Sequence, residues 1–177
     1  MAKKEKIDYK KIIADKKLEA GQLMTQDQIT KCNIAIHTAS AASAAAGIIP
    51  IPVADAVPIS AAQITMVIAL GKVFDQSLTE GAAKGIIGAA ASTFVGRNLV
   101  KLIPIAGWVV SAAVAAGVTE AIGWTVAIDF AKQARKEWER KKNAAEAAKA
   151  YAEAELLKKS YKTDLDHIVD AEDFSKK

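Results

Sequence analysis

Charged and apolar positions divide the chain into three parts. Residues 33–130 carry only nine charged side chains among 98 positions, whereas the segments on either side are rich in Lys, Asp and Glu. Within this apolar part the tripeptide Ile-Pro-Ile occurs at 49–51 and again at 103–105, each time between stretches of Ala, Gly, Ile and Val. Proline interrupts a helix, so the pattern predicts two helix–turn–helix units with almost wholly apolar helices.

Local signals place the ends of the predicted helices. Thr25-Gln26-Asp27-Gln28 forms a capping box, with Thr at the N-cap and Gln three residues later, and Ser77-Leu78-Thr79-Glu80 forms a second one. Gly21 is expected to end the first helix, and Asp55 to cap the third. The predicted helices cover about 3–20, 26–46, 56–75, 80–102 and 108–160.

The expected organisation has four segments. They are a basic N-terminal arm with a short helix (1–25), an apolar double-hairpin domain (26–130), a charged helix continuing the last hairpin (131–160) and a flexible acidic tail (161–177). The residues assigned to the two turns are Ile49, Pro50, Ile51, Pro52, Asp55 and Pro58 in the first, and Ile103, Pro104, Ile105 and Gly107 in the second.

Composition supports an all-α fold. Ala supplies 37 of the 177 residues and aromatic residues only 6%, and Ala is both the best helix former and small enough for close helix packing. We therefore expect two hairpins packed as an Ala- and Gly-rich bundle, plus a long charged helix. The single cysteine, Cys32, excludes an intrachain disulfide and fits a reducing compartment. The first residues show no signal peptide or lipid anchor.

Charge placement favours a membrane protein without excluding a soluble bundle. The net charge of +4 lies at the two ends and is too dilute for nucleic-acid binding. A full span needs about 20 apolar residues, and only the uncharged runs 32–54 and 102–119 approach that length. Short hairpins therefore fit better than four crossings. Both termini then face the cytoplasm under the positive-inside rule, which predicts a bacterial inner membrane; a cytoplasmic location is the alternative.

Some individual side chains favour a membrane location and others oppose it. Trp108 and Trp124 could anchor a helix at the two membrane interfaces or could be core residues. Arg97, Lys101 and Glu120 oppose deep insertion, because an unpaired charge in hydrocarbon costs at least about 2.5 kcal/mol. If the last two apolar helices are antiparallel, Glu120 lies too far from Arg97 for an ion pair. Small residues recur at four-residue spacing, but Ala-rich chains produce this by chance.

The charged helix from 131 to 160 carries Glu–Lys pairs at four-residue spacing, which supports an exposed helix. Its thin apolar seam allows a coiled-coil contact, and therefore a homo-oligomer, although a solvated helix is favoured because Ala contributes little burial. The seam consists of Trp138, Ala145, Ala152 and Leu156.

No pattern indicates an enzyme, a cofactor or a metal site. Gly71-Lys72 is followed by Val73 and lacks the upstream glycine of a phosphate-binding loop. His37 lies in an apolar segment with no carboxylate nearby in sequence, and His167 lies among acidic residues of the tail. We interpret His37 as a core or interface histidine instead of a proton relay. We interpret the segment around His167 as a flexible acidic tail instead of a metal site.

The segments 48–56 (Ile-Ile-Pro-Ile-Pro-Val-Ala-Asp-Ala) and 99–107 (Leu-Val-Lys-Leu-Ile-Pro-Ile-Ala-Gly) resemble a bacterial family, the domain of unknown function six-nine-seven. That helical, membrane-associated domain often follows an Era/TrmE-like small GTPase domain. The resemblance covers about residues 30–132 and implies a helical hairpin domain, membrane association and a GTPase acting in cis or in trans. We expect no GTPase domain in this chain, so either a separate GTPase is its partner or the protein works without one.

Three functions follow as expectations. The first is a non-enzymatic, membrane-associated helical-hairpin protein that anchors or serves a cytosolic partner, such as a small GTPase in trans. The second is a pore-forming or membrane-perturbing protein stored as a soluble bundle. The third is a soluble, Ala-packed helical interaction module.

Overall fold

The structure, a computed structural model, describes residues 9–46, 56–94 and 111–174. All elements within these ranges are α-helices, which confirms the all-α class. The helices are α1 (Tyr9–Leu23), α2 (Gln26–Ala46), α3 (Ala56–Val73), α4 (Glu80–Phe94) and α5 (Ala112–Phe174). The two Ile-Pro-Ile turns lie outside the described residues.

The start of α2 follows the sequence prediction. Gln28 N–H donates to Thr25 Oγ1 at 3.3 Å, and Thr25 N–H donates to Gln28 Oε1 at 2.9 Å. Both bonds of the predicted capping box are therefore present. They pair two backbone N–H groups at the N-terminal end of α2. The bounds of this helix, 26–46, are those predicted.

The predicted end of α1 and the predicted cap of α4 are wrong. Helix α1 continues through Gly21 to Leu23, and Met24 N–H still donates to Ala20 O at 3.0 Å. Ala20 and Met24 are buried, and their burial outweighs the cost of one helical glycine, about 1 kcal/mol. The cap of α4 is Thr79 instead of Ser77, since Ala82 N–H donates to Thr79 Oγ1 at 3.3 Å.

Helix α3 ends in a Schellman turn. Gln76 N–H donates to Gly71 O at 2.9 Å and Asp75 N–H to Lys72 O at 3.3 Å, with Asp75 in the left-handed region at a φ of 57°. A Cβ on Gly71 would lie 2.8 Å from Leu78 Cδ1 and 2.9 Å from Gln76 O. The turn therefore requires glycine at 71 and tolerates aspartate at 75.

Opposite stability changes are expected at these two positions. Gly71→Ala should lower the free energy of unfolding by about 1–2 kcal/mol, because the new methyl group overpacks a turn fixed by its own hydrogen bonds. Asp75→Gly should raise it by about 0.5 kcal/mol, because glycine adopts a positive φ without strain. Urea denaturation followed by tryptophan fluorescence measures both changes. A stabilised Gly71→Ala variant would contradict the close approach of Leu78.

The N-terminal part of α5 is the central helix of the bundle. Every residue from 121 to 128 is buried, which requires neighbours on all sides of the helix. Trp124, Val126 and Ile128 are each 1% exposed. The hydrophobic core formed around them also includes residues of α1, α2, α3 and α4.

Contacts fix the direction of two neighbouring helices. Ser43 of α2 bonds to Thr119, and the earlier Ile36 packs against the later Gly123, so α2 runs antiparallel to α5. Gln63 of α3 bonds to Thr119, and Phe74, which directly follows α3, has its ring centroid 6.4 Å from that of Phe130. Helix α3 therefore runs parallel to α5.

The chain forms two compact units, residues 1–134 and residues 135–177. Helix α5 contributes to both and begins at Ala112, where Ser111 O accepts the N–H groups of Val114 and Ala115 at 2.9 Å. It runs to Phe174, beyond the predicted end at about 160. No Gly or Pro follows Gly123 in the sequence, so nothing local stops the helix.

Candidate functional site

A row of buried polar side chains joins α2, α3 and α5. Gln63 Nε2 donates to Thr119 Oγ1 at 3.1 Å, and the Thr119 hydroxyl donates to Ser43 Oγ at 3.0 Å. One turn along α2, Ser40 Oγ donates to Ala116 O at 3.1 Å. These side chains are at most 9% exposed. Each pair joins two different helices, so the row sets the register in which the three helices pack.

This row lacks the features of a catalytic site. The hydroxyl groups of Ser43 and Thr119 bond to each other and to the amide of Gln63, none of which accepts a proton at neutral pH. A nucleophilic hydroxyl requires an adjacent base such as histidine. Interhelical bonds of this kind pack helices against one another in membrane proteins as well as in soluble ones.

A second polar cluster lies where α1 and α2 meet α5 at the bundle surface. The side chain of Glu120 is 16% exposed; Lys17 Nζ lies 3.1 Å from its Oε1 and His37 Nε2 lies 3.9 Å from it. Lys17 Nζ also lies 5.6 Å from the centroid of a Trp124 ring, within the range of a cation–π contact. The partly buried carboxylate is thus paired with a lysine.

Sequence reasoning missed the partners of Glu120. It considered only Arg97, on the other helix of the same predicted hairpin, whereas Lys17 comes from the N-terminal arm and His37 from α2. The side chain of His37 itself is 50% exposed. The carboxylate near it is that of Glu120 on α5, far from His37 in the sequence. The periodicity of single helices carries no signal for such a contact.

A third ionic contact holds α1 to α5. Lys132 Nζ donates to Glu19 Oε1 at 2.6 Å, and Lys16 Nζ to Glu19 Oε2 at 3.1 Å. The hydrogen bond from Lys132, followed by that from Lys16, holds the pKa of Glu19 below its ordinary value. The bond to Glu19 in turn raises the pKa of Lys132. The contact is therefore complete at neutral pH and is lost on acidification, as Glu19 becomes protonated.

The bundle also buries polar atoms that have no hydrogen-bond partner among the described residues. They are Tyr9 OH, Trp124 Nε1 and Thr125 Oγ1. Burial raises the pKa of the Tyr9 phenol, whose ring lies against Gly117, 3.1 Å from the position of a Cβ there. The large ring of Trp124 is 1% exposed. The structure thus places Trp124 in the core, one of the two positions that the sequence allowed.

The cysteine is not placed for reactivity. Cys32 is fully buried, and burial raises the pKa of its thiol to about 11, so the reactive thiolate is scarce at neutral pH. Within the parts of the chain that the structure describes, no group of three or more His, Cys, Asp or Glu side chains is placed to hold a metal ion.

Most of the predicted turn and charge positions lie outside the described residues. Among the predicted turn residues, Pro58 is described: it is exposed in the first turn of α3, where proline is tolerated. Those outside are Ile49, Pro50, Ile51, Pro52, Asp55, Arg97, Lys101, Ile103, Pro104, Ile105, Gly107 and Trp108. Predictions for these residues stay predictions.

One helix among the described residues is long and apolar enough to cross a membrane. It is the Ala112–Thr163 part of α5, and 61% of its most apolar 18-residue window is buried inside the protein. A second apolar segment, Pro58–Val73, is shorter than a span. Core helices of soluble proteins meet the same criterion, so length and composition give weak support for a membrane span.

Comparisons with known proteins identify no relative of this chain. No protein-family model matches the chain, and no curated protein or solved structure matches it.

Proposed function

We propose that this chain is a non-enzymatic, membrane-associated helical protein. Its bundle (residues 1–134) shields an apolar central helix in water and presents that helix to lipid when the bundle opens. The supporting observation is the burial of every residue from 121 to 128 within a helix that is long and apolar enough to span a bilayer. A helix apolar on all faces is suited equally to a protein core and to hydrocarbon.

The helix that covers this core on one side, α1, has a mostly polar surface and is joined to α5 partly by ion pairs. Helix α1 meets α5 through the ion pairs Lys17–Glu120 and Glu19–Lys132, in which the two lysine side chains are 41% and 47% exposed. An exposed pair such as Glu19–Lys132 contributes about 0–1 kcal/mol, whereas Glu120 of the other pair is only 16% exposed. Helix α1 has one buried residue, Ala20, against six in α2, so separation of α1 from α5 exposes less of the core than separation of α2.

The outer face of α2 adds a surface compatible with lipid. Ile34 is 63% exposed, and Ala41, Ala42 and Ala45 farther along the helix are also exposed. Charged side chains of α2 lie in its first turns, at Asp27 and Lys31. Most of the helix is thus free of charge on its solvent side, which lowers the cost of contact with a bilayer.

A disulfide across the polar row tests whether the bundle must open. Ser43 Oγ and Thr119 Oγ1 are 3.0 Å apart, so Ser43→Cys combined with Thr119→Cys places two sulfurs within reach of a bond of about 2.05 Å. Vesicles of phosphatidylethanolamine and phosphatidylglycerol are incubated with the reduced or oxidised double variant. Flotation and an alkaline carbonate wash then separate inserted protein from protein bound at the surface.

The reduced form should resist the carbonate wash, and the oxidised form should be removed by it. The two forms share one sequence, so they are each other's control; Ser43→Cys alone, reduced and oxidised, controls for the oxidant. Equal retention of both forms would contradict opening of α2 from α5. Absence of both from the vesicles would overturn membrane association and favour a soluble interaction module. Dye release by the reduced form alone would add membrane perturbation to its function.

A partner-binding role is a second candidate, supported by exposed apolar side chains on the charged part of α5. Trp138 is 62% and Leu156 69% exposed, on the seam that the sequence suggested for a protein contact. In this proposal the membrane-bound chain anchors a cytosolic partner. A small GTPase is the partner that the family resemblance implies. Equal capture of the GDP-bound and GTP-bound forms of a candidate GTPase would argue against an effector role.

A further inference from the structure

A second apolar seam runs along the exposed part of α5. Its residues alternate three and four positions apart, which is the spacing of a and d positions in a coiled coil. They are Ala144, Ala147, Tyr151, Ala154, Lys158 and Tyr161, all of them exposed. Tyr151 is 71% and Tyr161 69% exposed, so the two largest side chains of this seam have most of their surface in water.

We propose that this seam binds a second copy of the same chain, as an antiparallel two-helix coiled coil centred between residues 152 and 153. In this register Tyr151 packs on Ala154 of the second copy, and Tyr161 on Ala144 of the second copy. Each large side chain therefore meets a small one, the complementarity that lets two Ala-rich helices approach closely. Lys158 lies over Ala147 of the second copy with its aliphatic stem and keeps its ammonium group in water.

Charge fixes the antiparallel direction. Residues 135–142 contain five Lys or Arg and two Glu, a net charge of +3, whereas residues 163–170 contain three Asp and no Lys or Arg, a net charge of −3. The register centred at 152 and 153 places each segment opposite the other in the second copy. A parallel pair would place +3 beside +3 and −3 beside −3. Opposite charges flanking a seam set helix orientation in coiled coils.

The seam formed by Trp138, Ala145, Ala152 and Leu156 is a poorer site for a second copy. Lys142 and Lys149 lie on the same side of the helix, at the positions between these apolar residues, and Lys142 Nζ is 5.6 Å from the Trp138 ring centroid. Self-association through that seam would bring like charges together. The seam that contains Tyr151 and Tyr161 has one lysine, Lys158, and the proposed register places it opposite Ala147 of the second copy.

Disulfide trapping tests the register on the full chain. Residues 147 and 158 face each other across the proposed pair, so an Ala147→Cys chain mixed with a Lys158→Cys chain should form a cross-linked dimer under mild oxidation. Each variant alone should cross-link at least tenfold less. Cys32 does not compete, because its thiol is buried. Equal cross-linking of either variant with itself would show a parallel pair and overturn the proposal.

Sedimentation of matched variants tests the seam without lipid, so its outcome is separate from that of membrane binding. Tyr151→Glu should weaken dimerisation at least tenfold, and Leu156→Glu, an equally exposed substitution on the opposite side of the helix, should leave it unchanged. High salt should weaken the wild-type dimer, because opposite charges flank the seam. A wild-type chain that stays monomeric, or a Tyr151→Glu chain that dimerises like wild type, overturns the proposal.

Discussion

Gly123→Leu is expected to destabilise the bundle strongly. A Cβ at position 123 would lie 2.7 Å from Ile36 Cγ1, 2.9 Å from Met66 Sδ and 3.1 Å from Ile36 Cγ2. Two helices approach α5 at this point, so neither can withdraw without opening the core. Overpacking usually costs about 1–3 kcal/mol, and a leucine adds three more carbons beyond a Cβ that already requires Ile36 and Met66 to shift. The loss should reach or exceed the upper end of that range, about 3 kcal/mol or more.

Gly85→Leu provides the matched control. Gly85 lies within α4, and nothing is within 4 Å of a Cβ added there, so leucine should stabilise the helix slightly through its higher propensity. Ile36→Ala in the Gly123→Leu background should recover part of the loss, since it removes the side chain that clashes. Thermal unfolding followed by near-ultraviolet circular dichroism measures all three. A Gly123→Leu protein as stable as Gly85→Leu would contradict this helix packing.

Trp124→Ala should lower the free energy of unfolding by about 3–5 kcal/mol, the usual cost of removing a large buried aromatic side chain. Trp124 is among the largest fully buried side chains of the described residues, at 1% exposure. Trp124→Phe should cost about 1 kcal/mol or less, because the lost packing is partly offset by removal of an N–H group that has no partner.

Trp138→Ala is the comparison for Trp124→Ala. Trp138 is 62% exposed, and surface substitutions of this kind usually change stability by about 0.5 kcal/mol or less. Urea denaturation of the two alanine variants, followed by circular dichroism, gives the difference directly. If Trp124→Ala kept the stability of the bundle but reduced vesicle binding, Trp124 would be an interfacial anchor instead of a core residue.

Helix ends were predictable where the signal is local. The capping box at Thr25 and Gln28 involves residues three apart, so the sequence contains both partners, and the structure has both bonds. The prediction was wrong at Gly21, because burial of Ala20 and Met24 extends α1 beyond it. It was also wrong at Ser77, where Thr79 caps α4. Both corrections arise where several residues could end or start a helix and packing selects among them.

The polar contacts of the bundle were not predictable in the same way. Glu120 was recognised as a charge that needs a partner, but its partners Lys17 and His37 come from α1 and α2. The Ser43–Thr119–Gln63 row likewise joins three helices far apart in sequence. A serine or threonine in an apolar helix gives no sign of which helix it will face, because the contact depends on helix rotation and direction.

The sequence by itself determined that this protein is helical, where α2 lies and which segments are apolar, since helix propensity, caps and composition act over a few residues. Only the tertiary structure decided that residues 121–128 lie at the centre of a bundle, with Glu120 paired at its edge. The physical reason is that apolar side chains gain free energy by leaving water for lipid or for a protein core alike. Which of the two surrounds them depends on the helices packed against them, and no local pattern encodes those neighbours.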